Sequence, residues 1–175
     1  NVAIKPKLEK FKRIKDSLPK NKCVVFLVLN PKDNAELTWY KNVLTSSLNS
    51  NTIKKGDKIG ILNFNYKVEG KLLDPLSLDF SDDINTLTNN VNSINLRNNG
   101  NSLCGDKFFP NKTPVLDAIN DAIDRINKKN PGLPTCIIVL ANDQFCPSSD
   151  IPVIDNALNN NISIYCINYE KPKVN

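Results

Sequence analysis

The sequence predicts a doubly wound α/β domain: a mostly parallel sheet with one antiparallel edge strand and helices on both faces. Three observations predict it. Short apolar runs rich in β-branched residues recur along the chain, as in parallel strands buried on both faces. Between them lie segments whose apolar residues repeat at helical spacing. Strands joined through such helices need right-handed crossovers, which set the strands parallel with helices above and below the sheet.

The elements follow in order. Leu8, Phe11, Ile14 and Leu18 form an apolar stripe on a helix that Pro19 ends. Residues 1–22 are therefore expected to be a basic helical segment packed on the domain, which occupies residues 23–175; a basic helix lying on a membrane surface is the alternative. Val24 to Leu29 reads as a central strand. Leu37, Tyr40 or Lys41, Leu44 and Leu48 mark a helix from about Asn34 to Leu48. Ile59 to Phe64 reads as the second strand, and Leu72 to Leu76 as the antiparallel edge strand, a position that tolerates Pro75. The spacing of Ile84, Leu87, Val91 and Ile94 predicts a helix capped by Ser81 or Asp82.

Residues 95–111 are polar, with turn signals at Asn98-Asn99-Gly100-Asn101 and at Gly105. A long loop is expected there, and long loops in compact domains usually carry function. Leu116, Ile119, Ile123 and Ile126 predict the next helix, with Asp117, Asp121 and Asp124 outward. Thr113 caps it ahead of Pro114, and Asn130-Pro131-Gly132 ends it. Thr135 to Ala141 is the following strand, residues 150–159 a short helix with Pro152 in its first turn, and Ile162 to Ile167 the last strand.

At 175 residues the chain fits one ordinary domain, and its hydrophobic fraction of 40% is that of a globular protein. No apolar run approaches the roughly 18 residues that a membrane-spanning helix requires. Asn1 opens the chain with neither Met nor an apolar leader, as expected of a processed or excised form. Of the net charge of +5, much sits near the amino terminus, where Lys5, Lys7, Lys10, Lys12, Arg13, Lys15, Lys20 and Lys22 face only Glu9 and Asp16. The aromatic interleaving of single-strand binders is missing, so nucleic acid is not an expected partner. With no histidine, no Gly-rich phosphate loop and no Gly-x-Ser-x-Gly elbow, catalysis is not expected either. The five cysteines contain no CxxC pair, which argues against an ordinary zinc site. Asn111-Lys112-Thr113 and Asn161-Ile162-Ser163 fit the glycosylation acceptor pattern.

Four motifs, in order, resemble a known family. Cys23-Val-Val-Phe-Leu-Val-Leu-Asn30 followed by Pro-Lys-Asp-Asn34 is similar to the first strand and metal loop of von Willebrand factor type A (vWA) domains. Asp57-Lys-Ile-Gly-Ile-Leu-Asn-Phe64 resembles their second strand, Lys112-Thr113-Pro-Val-Leu-Asp-Ala-Ile119 their threonine-led helix start, and Cys136-Ile-Ile-Val-Leu-Ala-Asn-Asp143 their fourth strand. The resemblance covers roughly Cys23 to Tyr169 and implies a Rossmann-like fold.

In that family an Asp-x-Ser-x-Ser loop, a Thr and an Asp hold a divalent cation that captures an acidic group of the ligand. The matching positions here are Asn30, Lys32, Asn34, Thr113 and Asn142, of which only Thr113 is kept. Hard cations want carboxylate oxygens, and both aligned carboxylates are amides here, so no metal or other cofactor is expected. A shift of register that brings Asp33 and Asp143 inward would restore a site for magnesium.

Ligands of open α/β sheets bind outside the carboxyl ends of the strands, where strand order reverses. The loops at Asn30 to Asn34, Asn95 to Asn111 and Asn142 to Pro147 are expected to meet there. Lys32 would stand in for the cation and engage an acidic group of a partner, assisted by Asn30, Asn34, Thr113, Asn142 and Asp143; the plainer reading is that these residues cap helices and loops. Cys104 and Cys146 fall in two of these loops and are the expected disulfide pair, while Cys23 and Cys136 are buried thiols or a second bond. The resulting expectation is a non-catalytic recognition or adhesion module, secreted or on the extracellular face, whose partner is a protein or matrix component. An intracellular scaffold domain and, less favoured, an α/β enzyme are the alternatives.

Overall fold

The computed structural model describes residues 21–29, 31, 33–50, 53–64, 79–96, 114–129, 131–142 and 151–169. Four strands, β1 (Cys23–Leu29), β2 (Lys58–Phe64), β3 (Thr135–Asn142) and β4 (Ile162–Tyr169), form one sheet in the order β2-β1-β3-β4. All three pairings are parallel, so β1, the most apolar run, lies inside the sheet. The antiparallel edge strand expected at 72–76 lies outside the described residues. An antiparallel bridge does join β2 to the chain at Ser81, which exchanges two backbone hydrogen bonds with Ile59 (3.0 and 2.9 Å).

Period-two alternation sends the residues of β1 to two cores. Cys23, Val25 and Leu27 face helices α3 (Pro114–Lys129) and α4 (Ile151–Asn159); Val24, Phe26 and Val28 face α1 (Asn34–Leu48) and α2 (Ile84–Asn92). On α3, Val115, Ala118, Ile119, Ala122, Ile123 and Ile126 make a buried stripe, while Arg125 pairs with Asp121 one turn away at 2.6 Å. On α1 the buried row is Glu36, Tyr40, Leu44 and Leu48, and Leu37 is only partly covered. Each fully buried aliphatic side chain stabilises by about 1.5–3 kcal/mol, so truncating Leu27 or Leu44 to alanine costs about 2–5 kcal/mol.

One detail differs from expectation and another is settled between alternatives. The cap of α2 is Asp83, not Ser81 or Asp82. Its carboxylate accepts the backbone N–H of Asn85 and Thr86 and holds its own pKa below the ordinary carboxylate value, first through the Thr86 hydroxyl and then through the Thr86 N–H. Ser81 is committed to the bridge with Ile59, and its hydroxyl accepts the Asp83 N–H. Of the two alternatives expected for Cys23 and Cys136, free thiols are found and not a second bond. Their strands are neighbours, but Cys136 is in register with Val24, not Cys23, so the two thiols point to opposite faces and both are free.

At the amino edge the chain is pinned before β1 begins. The Asp57 carboxylate, buried, accepts the N–H of Lys22 (3.0 Å) and of Lys54 (2.9 Å). Gly56 lies between them at φ +92, and a Cβ there would collide with the Asn21 side-chain amide. Glycine is favoured there by backbone conformation, whereas the end of the Asn21 side chain could swing aside to admit a methyl group.

Candidate functional site

The strand order locates the site. From β1 the chain crosses to β2 on one side, whereas β3 is laid on the other side and followed outward by β4. The reversal falls between β1 and β3, and ligands of open α/β sheets bind outside the carboxyl ends of the strands at such a point. The chain segments that reach this edge are residues 31 and 33–34 after β1, the start of α3 at Pro114, and the end of β3 at Asn142. Of the loops expected to build the site, residues 31, 33–34, 95–96 and 142 are among the described residues.

Of the expected site residues, Asn34 is described in full. It is the first residue of α1 and exposed, and its carbonyl accepts the Thr38 hydroxyl at 2.7 Å. Asn142 closes β3 in register with Tyr169. Asn30, Lys32, Thr113, Asp143, Cys104, Cys146 and Asn111 lie outside the described residues. Asp33, the residue of the shifted register, is the N-cap of α1, and its Oδ1 accepts the Glu36 N–H at 2.9 Å. That bond stabilises the helix start by satisfying an orphan donor. Asn161, the second glycosylation acceptor, is remote from this edge, exposed in the turn before β4 at φ 53. Asparagine is among the residues that tolerate that conformation.

Sequence reasoning missed three residues beneath the edge. Glu36 is fully buried and accepts the Tyr40 hydroxyl at 2.6 Å. Burial, and then this bond to a carboxylate, push the Tyr40 phenol far above its ordinary value, so Tyr40 remains a proton donor to Glu36. Trp39 ties the pair to the sheet, stacking at a tilt on Tyr40 (5.4 Å between ring centres) and on Tyr169 of β4 (5.5 Å). The sequence holds only a faint trace of this, in that Glu36 stands four residues before Tyr40 on the row that continues to Leu44 and Leu48. Asn63, in register with Val28, is the third. Its Oδ1 is buried with no hydrogen-bond partner, a state that costs about 1–3 kcal/mol. A lone amide inside the run Ile59 to Phe64 was the visible trace of it.

The thiols offer no activated nucleophile among the described residues. Burial pushes Cys23 up to about 11 and raises Cys136 and Cys166 as well. Among the described residues no group of three potential metal ligands gathers, and no helix is long and apolar enough to cross a membrane.

No known protein family matches the sequence, and no curated protein does. Among solved structures the chain is similar to a von Willebrand factor type A protein from Catenulispora acidiphila, at 14% identity and a TM-score of 0.57, over 85% of this chain and 33% of that one. The likeness shows the fold: a vWA-like, Rossmann-like α/β domain.

Proposed function

We propose that this domain is a recognition module of the vWA type, which binds a protein or matrix ligand at the carboxyl edge without catalysis and without a metal ion. The observation that carries the reading is the reversal of strand order between β1 and β3 in a vWA-like sheet, which makes their carboxyl ends the place where a ligand is expected.

The chemistry of the aligned donors supports metal independence. Asn30, Asn34 and Asn142 are neutral amides, Lys32 is a cation, and Asp33 spends a carboxylate oxygen on the helix cap. Such a set fits a magnesium-type ion poorly, because it lacks the anionic oxygens that offset dehydration. It fits an acidic group of a partner better: the Lys32 ammonium pairs with the carboxylate, and the amides with Thr113 donate hydrogen bonds to it. An exposed ion pair contributes only about 0–1 kcal/mol, so the rest of the affinity comes from the surrounding loops. In this reading Cys104 and Cys146 are bonded, Asn161 and Asn111 are glycan acceptors, and the protein works outside the cell.

Calorimetric titration of magnesium and manganese into chelator-treated protein, with thermal melts alongside, tests the central claim. A ligand that binds only the folded state raises the Tm, so saturable heat with a rise in Tm overturns metal independence, and silence in both supports it. Binding to immobilised matrix proteins is expected to survive chelation and to be lost in Lys32→Glu. Mass-spectrometric thiol counting that finds Cys104 and Cys146 reduced would remove the case for secretion.

A further inference from the structure

Among the described residues, the α1 face of the sheet is incompletely covered. Register places Val24, Cys136 and Ser163 in one row across β1, β3 and β4, then Phe26, Ile138 and Tyr165, then Val28, Leu140 and Ile167. Helix α1 buries the β1 column, but Cys136 and Ile138 are only partly covered, and Tyr165 and Ile167 are 59% and 39% exposed. A groove of about 470 Å³ runs along this face between α1 and β3, lined by Lys22, Val24, Phe26, Ile53, Cys136 and Ile138.

The preceding chain leaves from this groove. Lys22 is both a lining residue and a fixed point, its N–H held by Asp57 and its carbonyl accepting the Lys58 N–H at 2.9 Å, while Cys23 is tied to Pro134 at 2.8 Å. Whatever precedes Asn21 therefore starts at the amino edge of the open face. The sequence supplies a matching element just there. Leu8, Phe11, Ile14 and Leu18 line one side of a helical projection, where the long stems of Lys7 and Lys15 reach past them to solvent, with Lys12, Arg13 and Asp16 on the other side. A helix from Pro6 to Leu18 would be about 20 Å long, against about 23 Å for a seven-residue strand.

We propose that residues 6–18 form a helix that lies in this groove, beside α1 and antiparallel to β1. Leu8, Phe11, Ile14 and Leu18 then cover Cys136, Ile138, Tyr165 and Ile167, and the basic side faces solvent. The segment is an integral layer of the domain, and the occupant of the face is this chain, not a second copy or a lipid surface.

Cys136 reports on the groove and Cys23 on the opposite face. Iodoacetamide labelling of the full chain, resolved by peptide mass spectrometry, is compared with Phe11→Asp/Ile14→Asp. Cys136 is expected to label roughly ten-fold faster in the double variant while Cys23 stays protected, the pattern of a local opening. Equal Cys136 rates, or protection that vanishes on dilution as a second copy would give, overturn the proposal. If the variant exposes Cys23 as well, the result is read from benzoylphenylalanine placed at position 11 of the otherwise native chain. Intramolecular cross-links to residues 135–140 or 162–167 support the docking, and cross-links elsewhere, between chains or none at all overturn it.

Discussion

Tyr40 donates its hydroxyl hydrogen to Glu36 Oε1 at 2.6 Å, one turn away on α1, and both side chains are fully buried. Removing the donor leaves a buried carboxylate with one partner fewer. Tyr40→Phe is expected to cost about 2 kcal/mol and to lower the Tm by roughly 5 °C, because bonds to charged groups are among the stronger ones. An unchanged urea midpoint would mean that the bond contributes nothing.

Asp57 holds two segments together through the N–H groups of Lys22 and Lys54. Asp57→Ala removes both part-buried hydrogen bonds, and a loss of about 1–3 kcal/mol is expected at about 0.5–1.5 kcal/mol per bond. Hydrogen exchange should quicken first at those two amides. Uniform acceleration across the sheet instead would show that the clamp has no local role.

Gly56 and Gly132 both have positive φ, at +92 and +64, but differ in surroundings. A methyl group at Gly132 meets open space, so Gly132→Ala carries only the conformational cost of about 1 kcal/mol. Gly56→Ala lies farther from the left-handed well and must also displace the end of the Asn21 side chain, so it is expected to be the more damaging of the two. Denaturant midpoints in the reverse order would refute the close approach.

Cys23 predicts an alkaline weakness. Burial pushes its thiol from 9.0 to about 11, with the Thr135 hydroxyl pulling the other way to a smaller extent. The folded state thus holds this proton more tightly than the unfolded chain. The contribution is complete below pH 9, falls as pH rises through 11, and is on the order of 2–3 kcal/mol. Cys23→Ala should flatten the pH dependence of stability over that window relative to the parent. Parallel curves for the two proteins would rule out Cys23 as the source.

Much of the architecture was legible in the residues because it rests on local periodicity. The run Val24 to Leu29 has no polar break, which only a strand covered on both faces requires, and β1 is that strand. Helix α3 announced its buried face through Ile119, Ile123 and Ile126. Of the candidate site, Asn34 and Asn142 stand at the carboxyl edge where order reverses, and its other residues lie outside the described residues. Glu36 was not legible, because a glutamate at the third position of a helix ordinarily faces water, and only the packing of Tyr40 and Trp39 over it takes it inside.

The sequence by itself determined the alternation of strands and helices, and with it a parallel sheet with helices on both faces, because side-chain spacing and crossover handedness are properties of the chain. Tertiary structure decided what depends on register between distant segments. It turned Cys23 and Cys136 to opposite faces, gave the α2 cap to Asp83 once Ser81 had bridged to Ile59, and left the β3–β4 face open beside the point where the chain enters. Those outcomes rest on which residues stand side by side across strands, a relation that no single stretch of sequence contains.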